Sequence, residues 1–403
     1  MEDGQVIRVQ SGSARAFTPL EAFPEKLQTI FRTSLATSEA HLAEEFKGIT
    51  ADGDPRPGLF PLAQTGLSLR PVMDAVSRFA ASLDAEQRKI ATFDVDSEWW
   101  RKWHNMHVFF FRHGVCLFDL DDEQRAAALD VVRASLSAAG FENARGVMKL
   151  NEHIAELTGR REEFGEWFYY LSLFGEPSET EPWGWQLDGH HLIINCFILG
   201  DQMVLTPYFS GSEPVTAESG KYAGTCVFEA EESAGLALMR ALGPDQQRRA
   251  RIGDAPLRDV LTNAQFDNLV LPYEGIRWDE LTPAQRALLL EIVAVFVGRI
   301  RPGHDQVRME EVRAHLDETY FAWRGACDDT SPFYYRIQSP VVLIEFDHLP
   351  GIAYDNPHNT RRHVHTIMRT PNGNDYGRDL LRQHYAQHDH SNGAPHRRGA
   401  PDT

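Results

Sequence analysis

The chain has 403 residues, 42% hydrophobic and 24% charged, which is globular composition and enough length for one large domain or two ordinary ones. A formal net charge of −18 repels phosphates and anionic lipid, so neither nucleic acid nor a membrane is an expected partner. The four cysteines (Cys116, Cys196, Cys226 and Cys327) form no CxxC pair, which argues against a thiolate zinc site and a disulfide framework. Small buried thiols are the expectation for all four.

In chain order, residues 1–65 are weakly patterned and read as a variable N-terminal segment, with loop punctuation at Thr50–Gly58. Met1-Glu-Asp-Gly4 opens no signal peptide, and no stretch approaches the roughly 20 apolar residues of a membrane helix, so the expected compartment is cytoplasmic. From Leu69 the apolar positions Val72, Val76, Phe79 and Leu83 take helical spacing. A phrase then recurs at Leu83–Arg88, Leu120–Arg125 and Leu281–Arg286, with a degenerate copy at Leu242–Gln247. Its irregular spacing excludes a solenoid, and Asp84, Asp121 and Thr282 suit helix N-caps. A helix is expected over 122–140, stopped by Gly140.

Phe168–Phe174 and His191–Ile198 are β-rich, and Gly200-Asp201 followed by Met203–Thr206 predicts a tight hairpin turn. Helical patterns return near 230–250 and 284–300, and strands at Tyr334–Ile337, Val341–Phe346 and Arg362–Met368. The blocks predict an α+β fold: a helical N-terminal half packed on a largely antiparallel β-sheet built from the middle and C-terminal segments. Residues 66–385 read as a single large α+β domain, and 386–403 as a disordered tail.

Of 17 histidines, eight follow position 340. His363 and His365 stand two apart on an expected strand, so both project from one sheet face, and an HxH pair gives one metal two imidazoles. Glu345 and Asp347 also share a face within an apolar strand, where a carboxylate needs a cation, a metal or strong donors. Gly189-His190-His191 opens another strand, so one of its two histidines can join the site while the other packs. Trp183 and Trp185 are candidate pocket walls, as is Tyr335. Arg336, Arg369 and Asp375 are candidates for orienting a ligand histidine or a substrate carboxylate. Trp99–His107, with His104 and His107, and His384 rank below these.

Trp183-Gly-Trp185, Gly189-His-His191, Thr206-Pro207 with Phe209, Tyr334-Tyr-Arg-Ile337, Ile344-Glu-Phe-Asp347, His363-Val-His365 and Asn374-Asp-Tyr-Gly377 occur in an order that resembles the family called domain of unknown function 3500. The resemblance runs from roughly Leu69 to His384 and implies no established activity. His348 and Thr370 depart from the family pattern, which has an amide and an aspartate there.

The expectation is a divalent-metal enzyme acting on a small organic substrate, aromatic or carboxylate-bearing. His190 or His191 would join His363 and His365 at the metal, with Glu345 beside them as ligand or, with Asp347, as proton acceptor. The metal could be Zn, Fe, Mn or Cu. Hydrolysis leads slightly, with two alternatives: an oxygenase using two histidines and a carboxylate, or a non-catalytic ligand-binding protein.

Overall fold

A computed structural model describes residues 8–9, 25–106, 111–351 and 356–388. Ten α-helices occur among them: α1 (Glu25–Leu42), α2 (Arg70–Ser82), α3 (Ala85–Ala91), α4 (Asp122–Ser135), α5 (Ala138–Thr158), α6 (Glu229–Ala241), α7 (Pro244–Ala250), α8 (Pro283–Val297), α9 (His304–Ala314) and α10 (Arg378–Gln387). The early strands are β1 (Arg8–Val9), β2 (Thr92–Phe93), β3 (Phe111–Arg112) and β4 (Val115–Cys116). Then come β5 (Tyr169–Phe174), β6 (Trp183–Gly189), β7 (Leu192–Leu199), β8 (Gln202–Val204) and β9 (Tyr208–Ser212). The later strands are β10 (Arg251–Gly253), β11 (Ile276–Arg277), β12 (Tyr320–Gly325), β13 (Phe333–Gln338), β14 (Leu343–Pro350) and β15 (Asn359–Arg369).

Thirteen strands form one sheet, in the order β10-β12-β13-β14-β15-β9-β7-β6-β5-β2, with β11, β4 and β8 attached beside it. The order reads alike outward from the β15–β9 seam. Each arm has a three-strand meander, a short strand (β4 or β11) antiparallel to the meander's first strand, and an edge strand parallel to it. The helices follow the same plan: α2 and α3 precede β2, as α6 and α7 precede β10.

This corrects the expected architecture. The sheet is mixed, because the β2–β5 and β10–β12 pairs are parallel. Its helices are scattered: α6 to α9 fall between β9 and β12, and the N-terminal half contributes β2, β4 and the first meander. The parallel strands are two and three residues long, too short to leave a sequence pattern.

The recurrent phrase does cap helices. Asp84, Asp121 and Thr282 each accept from the backbone N–H of the glutamine three residues on, and that glutamine reaches back to the cap. The glutamines also meet in pairs, Gln87 with Gln124 and Gln246 with Gln285, tying α3 to α4 and α7 to α8. The expected helix over 122–140 instead breaks before Gly140. Ser137 caps α5, and Gly140 sits in its first turn, where a Cβ would fall 2.3 Å from the Arg299 carbonyl.

The sheet has two covered faces. Trp183, Trp185, Leu192, Ile194, Tyr335, Ile344 and Phe346 join the main apolar core with residues of α2, α4, α5, α6 and α8. On the other face Ile193, Phe209 and Ile367 pack with Trp100, Trp103, Val260, Ala264 and Tyr376, which irregular segments and two short helical turns lay across the sheet. The candidate site lies on this second face. Among the described residues no helix is long and apolar enough to cross a membrane. Cys116 and Cys196 are buried, but Cys226 is exposed and Cys327 only half-buried, so the expectation for the cysteines holds for two.

Candidate metal centre

β15 puts His363 and His365 on the same face, as the strand period requires, and both are buried. His191 comes from the two-residue turn joining β6 to β7 and has φ +63, a left-handed conformation that costs a non-glycine residue free energy. Its backbone is held by Asn105, whose carbonyl accepts from His191 N–H, and by Gly211 N–H, which donates to the His191 carbonyl at 2.7 Å. The ligand nitrogens of His191, His363 and His365 all lie within 4.8 Å of one another. His363 Nε2 is 3.2 Å from His365 Nε2 and 3.4 Å from His191 Nε2. Nitrogens sharing a tetrahedral metal at ordinary bond lengths stand about 3.3 Å apart.

The other ring nitrogens decide what those short distances mean. His363 Nδ1 is 2.7 Å from the Pro350 carbonyl, which can only accept, so Nδ1 carries the proton. His365 Nδ1 donates at 2.7 Å to the Asp259 carboxylate. Burial lowers the pKa of both histidines, most strongly that of His365, and keeps the rings neutral. In these tautomers two Nε2 lone pairs face each other at 3.2 Å and repel unless a cation lies between them. The donor set therefore fits a metal ion.

Glycine makes the approach possible. A Cβ on Gly211 would lie 2.7 Å from His365 Cδ2 and 3.4 Å from His191 Cδ2. His190 is the packing member of its pair. Its ring stacks on His191 at 3.9 Å, and its Nδ1 pairs with Asn151 Oδ1 at 2.7 Å.

Most of the remaining candidates serve the fold. Glu345 accepts from Leu261 N–H (2.8 Å), Thr262 N–H (2.9 Å), Thr262 Oγ1 (2.5 Å) and Tyr334 OH (2.8 Å), so its acceptor sites are filled by donors of the protein. Asp347 accepts from Leu257 N–H, and its Oδ2 is buried without a partner among the described residues. Burial, with Asp259 and Glu345 nearby, pushes its pKa well above the usual range. Arg369 is buried between Asp267 (2.9 Å) and Asp375 (3.0 Å), and Arg101 reaches Asp267 from the other side. Arg336 pairs with Glu274 on β13, two strands from His365. Trp183, Trp185 and Tyr335 belong to the opposite face, where the Trp185 indole donates to Ser135 and the Tyr335 hydroxyl to the Glu231 carbonyl. None of these three walls the histidine centre.

His104 is buried beside this face and accepts from Met106 N–H, whereas His107 lies outside the described residues. His384 lies 3.5 Å from Glu181 and lines a cavity of about 620 Å³ at the far end of the β6–β7 hairpin. No member of the histidine triad lines that cavity.

Asp259, Gly211 and Glu213 were not among the expected site residues. Glu213 is buried with Oε2 3.8 Å from His363 Nδ1. Burial pushes the Asp259 carboxyl up to about 7, although 36% of its side chain stays accessible, and water there favours the carboxylate. Its one sequence signal is the length of the irregular connection 254–275, since long unstructured loops in compact domains are often functional.

A family model described as a protein of unknown function, DUF3500, matches residues 65–378. The chain belongs to this family. The DUF3500 region contains the three histidines, Gly211 and Asp259, and leaves out α1 and most of α10. No curated protein and no solved structure matches the chain.

Proposed function

We propose that the protein is a metal-dependent hydrolase of a small organic substrate, with His191, His363 and His365 holding a divalent ion. The observation that carries this reading is the convergence of three buried imidazoles, two of them with Nδ1 bound to acceptors and Nε2 lone pairs 3.2 Å apart. A divalent ion held by three neutral histidines keeps open positions, lowers the pKa of a bound water and polarises a carbonyl or phosphoryl oxygen. The chain's own part is to fix the rings. Pro350 and Asp259 set two tautomers, His190 backs the His191 ring, and Phe209 packs 5.0 Å from His365.

Hydrolysis is favoured over the oxygenase alternative because Glu345, the carboxylate of a two-histidine, one-carboxylate centre, has its acceptor sites filled by Leu261, Thr262 and Tyr334. A metal centre is favoured over a passive ligand pocket because the three imidazoles converge within 4.8 Å of one another and none of them lines the 620 Å³ cavity. With scattered thiols and no CxxC pair, a reducing cytoplasmic compartment suits the chain.

The test is turnover of chromogenic carboxylic, phosphoric and amide esters by as-purified, chelator-treated and metal-restored protein, with and without dioxygen. Hydrolysis that is lost on chelation, restored by metal and indifferent to dioxygen is the expected result. Turnover that requires dioxygen would overturn the assignment.

A further inference from the structure

We propose that Asp259 is a positioning residue that holds His365 in its metal-binding tautomer, and that Glu345 and Arg369 act through the 257–263 loop to place it. The proposal rests on the metal reading of the triad but assigns a role to residues outside it.

Residues 254–268 have neither helix nor strand, so their backbone groups find no ladder partners. Side chains from β14 and β15 satisfy them instead. Asp347 accepts from Leu257 N–H, and Asn359 donates to the Leu257 carbonyl. Glu345 takes the N–H groups of Leu261 and Thr262 together with the Thr262 hydroxyl. Arg369 donates through Nε to the Thr262 carbonyl at 2.8 Å and through Nη2 to the Asn263 carbonyl at 2.9 Å. The chain is thus pinned on both sides of Asp259.

Within that frame the carboxylate itself is fixed. Val260 N–H donates to Oδ1 at 2.8 Å, and Asn263 Nδ2 donates to Oδ2 at 2.5 Å. Oδ1 is left facing His365 Nδ1 at 2.7 Å. A carboxylate behind a ligand imidazole fixes its tautomer, orients the ring and raises its basicity. Glu345, expected as a metal ligand or proton acceptor, and Arg369, expected to orient a ligand or substrate, thus act at a distance through a third residue.

The experiment uses the full-length chain in four forms: wild type, Asp259→Ala, Glu345→Gln and the double variant, with Asp259→Asn as an isosteric control. Zn²⁺ affinity is measured by competition with a chelating dye. The ring-nitrogen shifts of His365 are read by NMR in metal-free, ¹⁵N-histidine-labelled protein. Asp259→Ala is expected to weaken Zn²⁺ binding about 10–100-fold and to move His365 toward the Nε2–H tautomer. Asp259→Asn should act in the same direction with a smaller loss. Glu345→Gln, which sets an amide donor against a backbone N–H, should weaken binding only while Asp259 is present.

Wild-type affinity and tautomer in Asp259→Ala would overturn the role of Asp259. An equal loss from Glu345→Gln in both backgrounds would overturn the coupling. Should the wild type bind no Zn²⁺, the metal reading fails, and the tautomer measurement still decides the positioning claim. A variant that merely loosened the fold would unfold earlier while its folded fraction kept the wild-type tautomer.

Discussion

Replacing Gly211 with alanine probes the histidine centre without touching a ligand. The added Cβ would stand 2.7 Å from His365 Cδ2, 2.8 Å from the Val364 carbonyl and 3.4 Å from His191 Cδ2. Carbon atoms settle at about 3.5–4.0 Å, so the His365 ring must retreat by roughly 0.8 Å. Metal–ligand distances tolerate about ±0.2 Å, which makes that retreat several times too large. Overpacking of this kind costs about 1–3 kcal/mol of stability. The backbone of Gly211 pairs with both His365 and His191, so the disturbance stays at the site. The variant is therefore expected to fold, to lose at most a few kcal/mol in chemical denaturation, and to bind Zn²⁺ at least tenfold more weakly by dye competition. A folded Gly211→Ala protein with wild-type Zn²⁺ affinity would refute the claim that His191 and His365 must close on one ion.

Two further predictions concern the fold. Arg369→Met leaves Asp375 and one side of Asp267 buried without their cation, so a loss of about 3–5 kcal/mol in denaturant unfolding is expected; a loss below about 1 kcal/mol would contradict the buried network. His113 is buried beside Phe93, Trp99 and Phe174, its Nε2 donates to Gln186, its Nδ1 has no partner among the described residues, and burial lowers its pKa to about 4. Below pH 6.5 the unfolded chain takes up this proton and the native state does not, so stability falls as the pH drops from 6.5 toward 4, by up to about 3 kcal/mol from this residue. His113→Gln should flatten that part of the stability–pH curve, and an unchanged curve would contradict it.

Local chemistry was legible wherever a residue's role depends on near neighbours. The Asp84, Asp121 and Thr282 caps, the Gly200-Asp201 turn and the shared face of His363 and His365 all follow from spacings of two to four residues. Glu345 shows where such reading stops. Its burial demands donors, but whether these are a metal or the N–H groups of a loop 83 and 84 residues away is a matter of tertiary structure. The two tryptophans teach a related lesson. Alternation places Trp183 and Trp185 with Leu187 and opposite Gln186 and Asp188, but His190 and His191 sit in a turn, so strand parity does not carry from one group to the other. Asp259 left no motif, since the histidine it meets lies 106 residues away on β15. Strand direction was equally hidden, because β2 and β10 take theirs from neighbours distant in sequence.

The most direct test of the central claim is the metal content of the protein purified without added chelator, compared with His191→Asn and with His363→Ala/His365→Ala. Asparagine tolerates the left-handed backbone at 191, so the first variant removes a ligand and keeps the turn. One divalent ion per wild-type chain, and none in either folded variant, is the result predicted. A wild type that stays metal-free after incubation with Zn²⁺, Fe²⁺, Mn²⁺ and Cu²⁺, or a double variant that retains its ion, would contradict it.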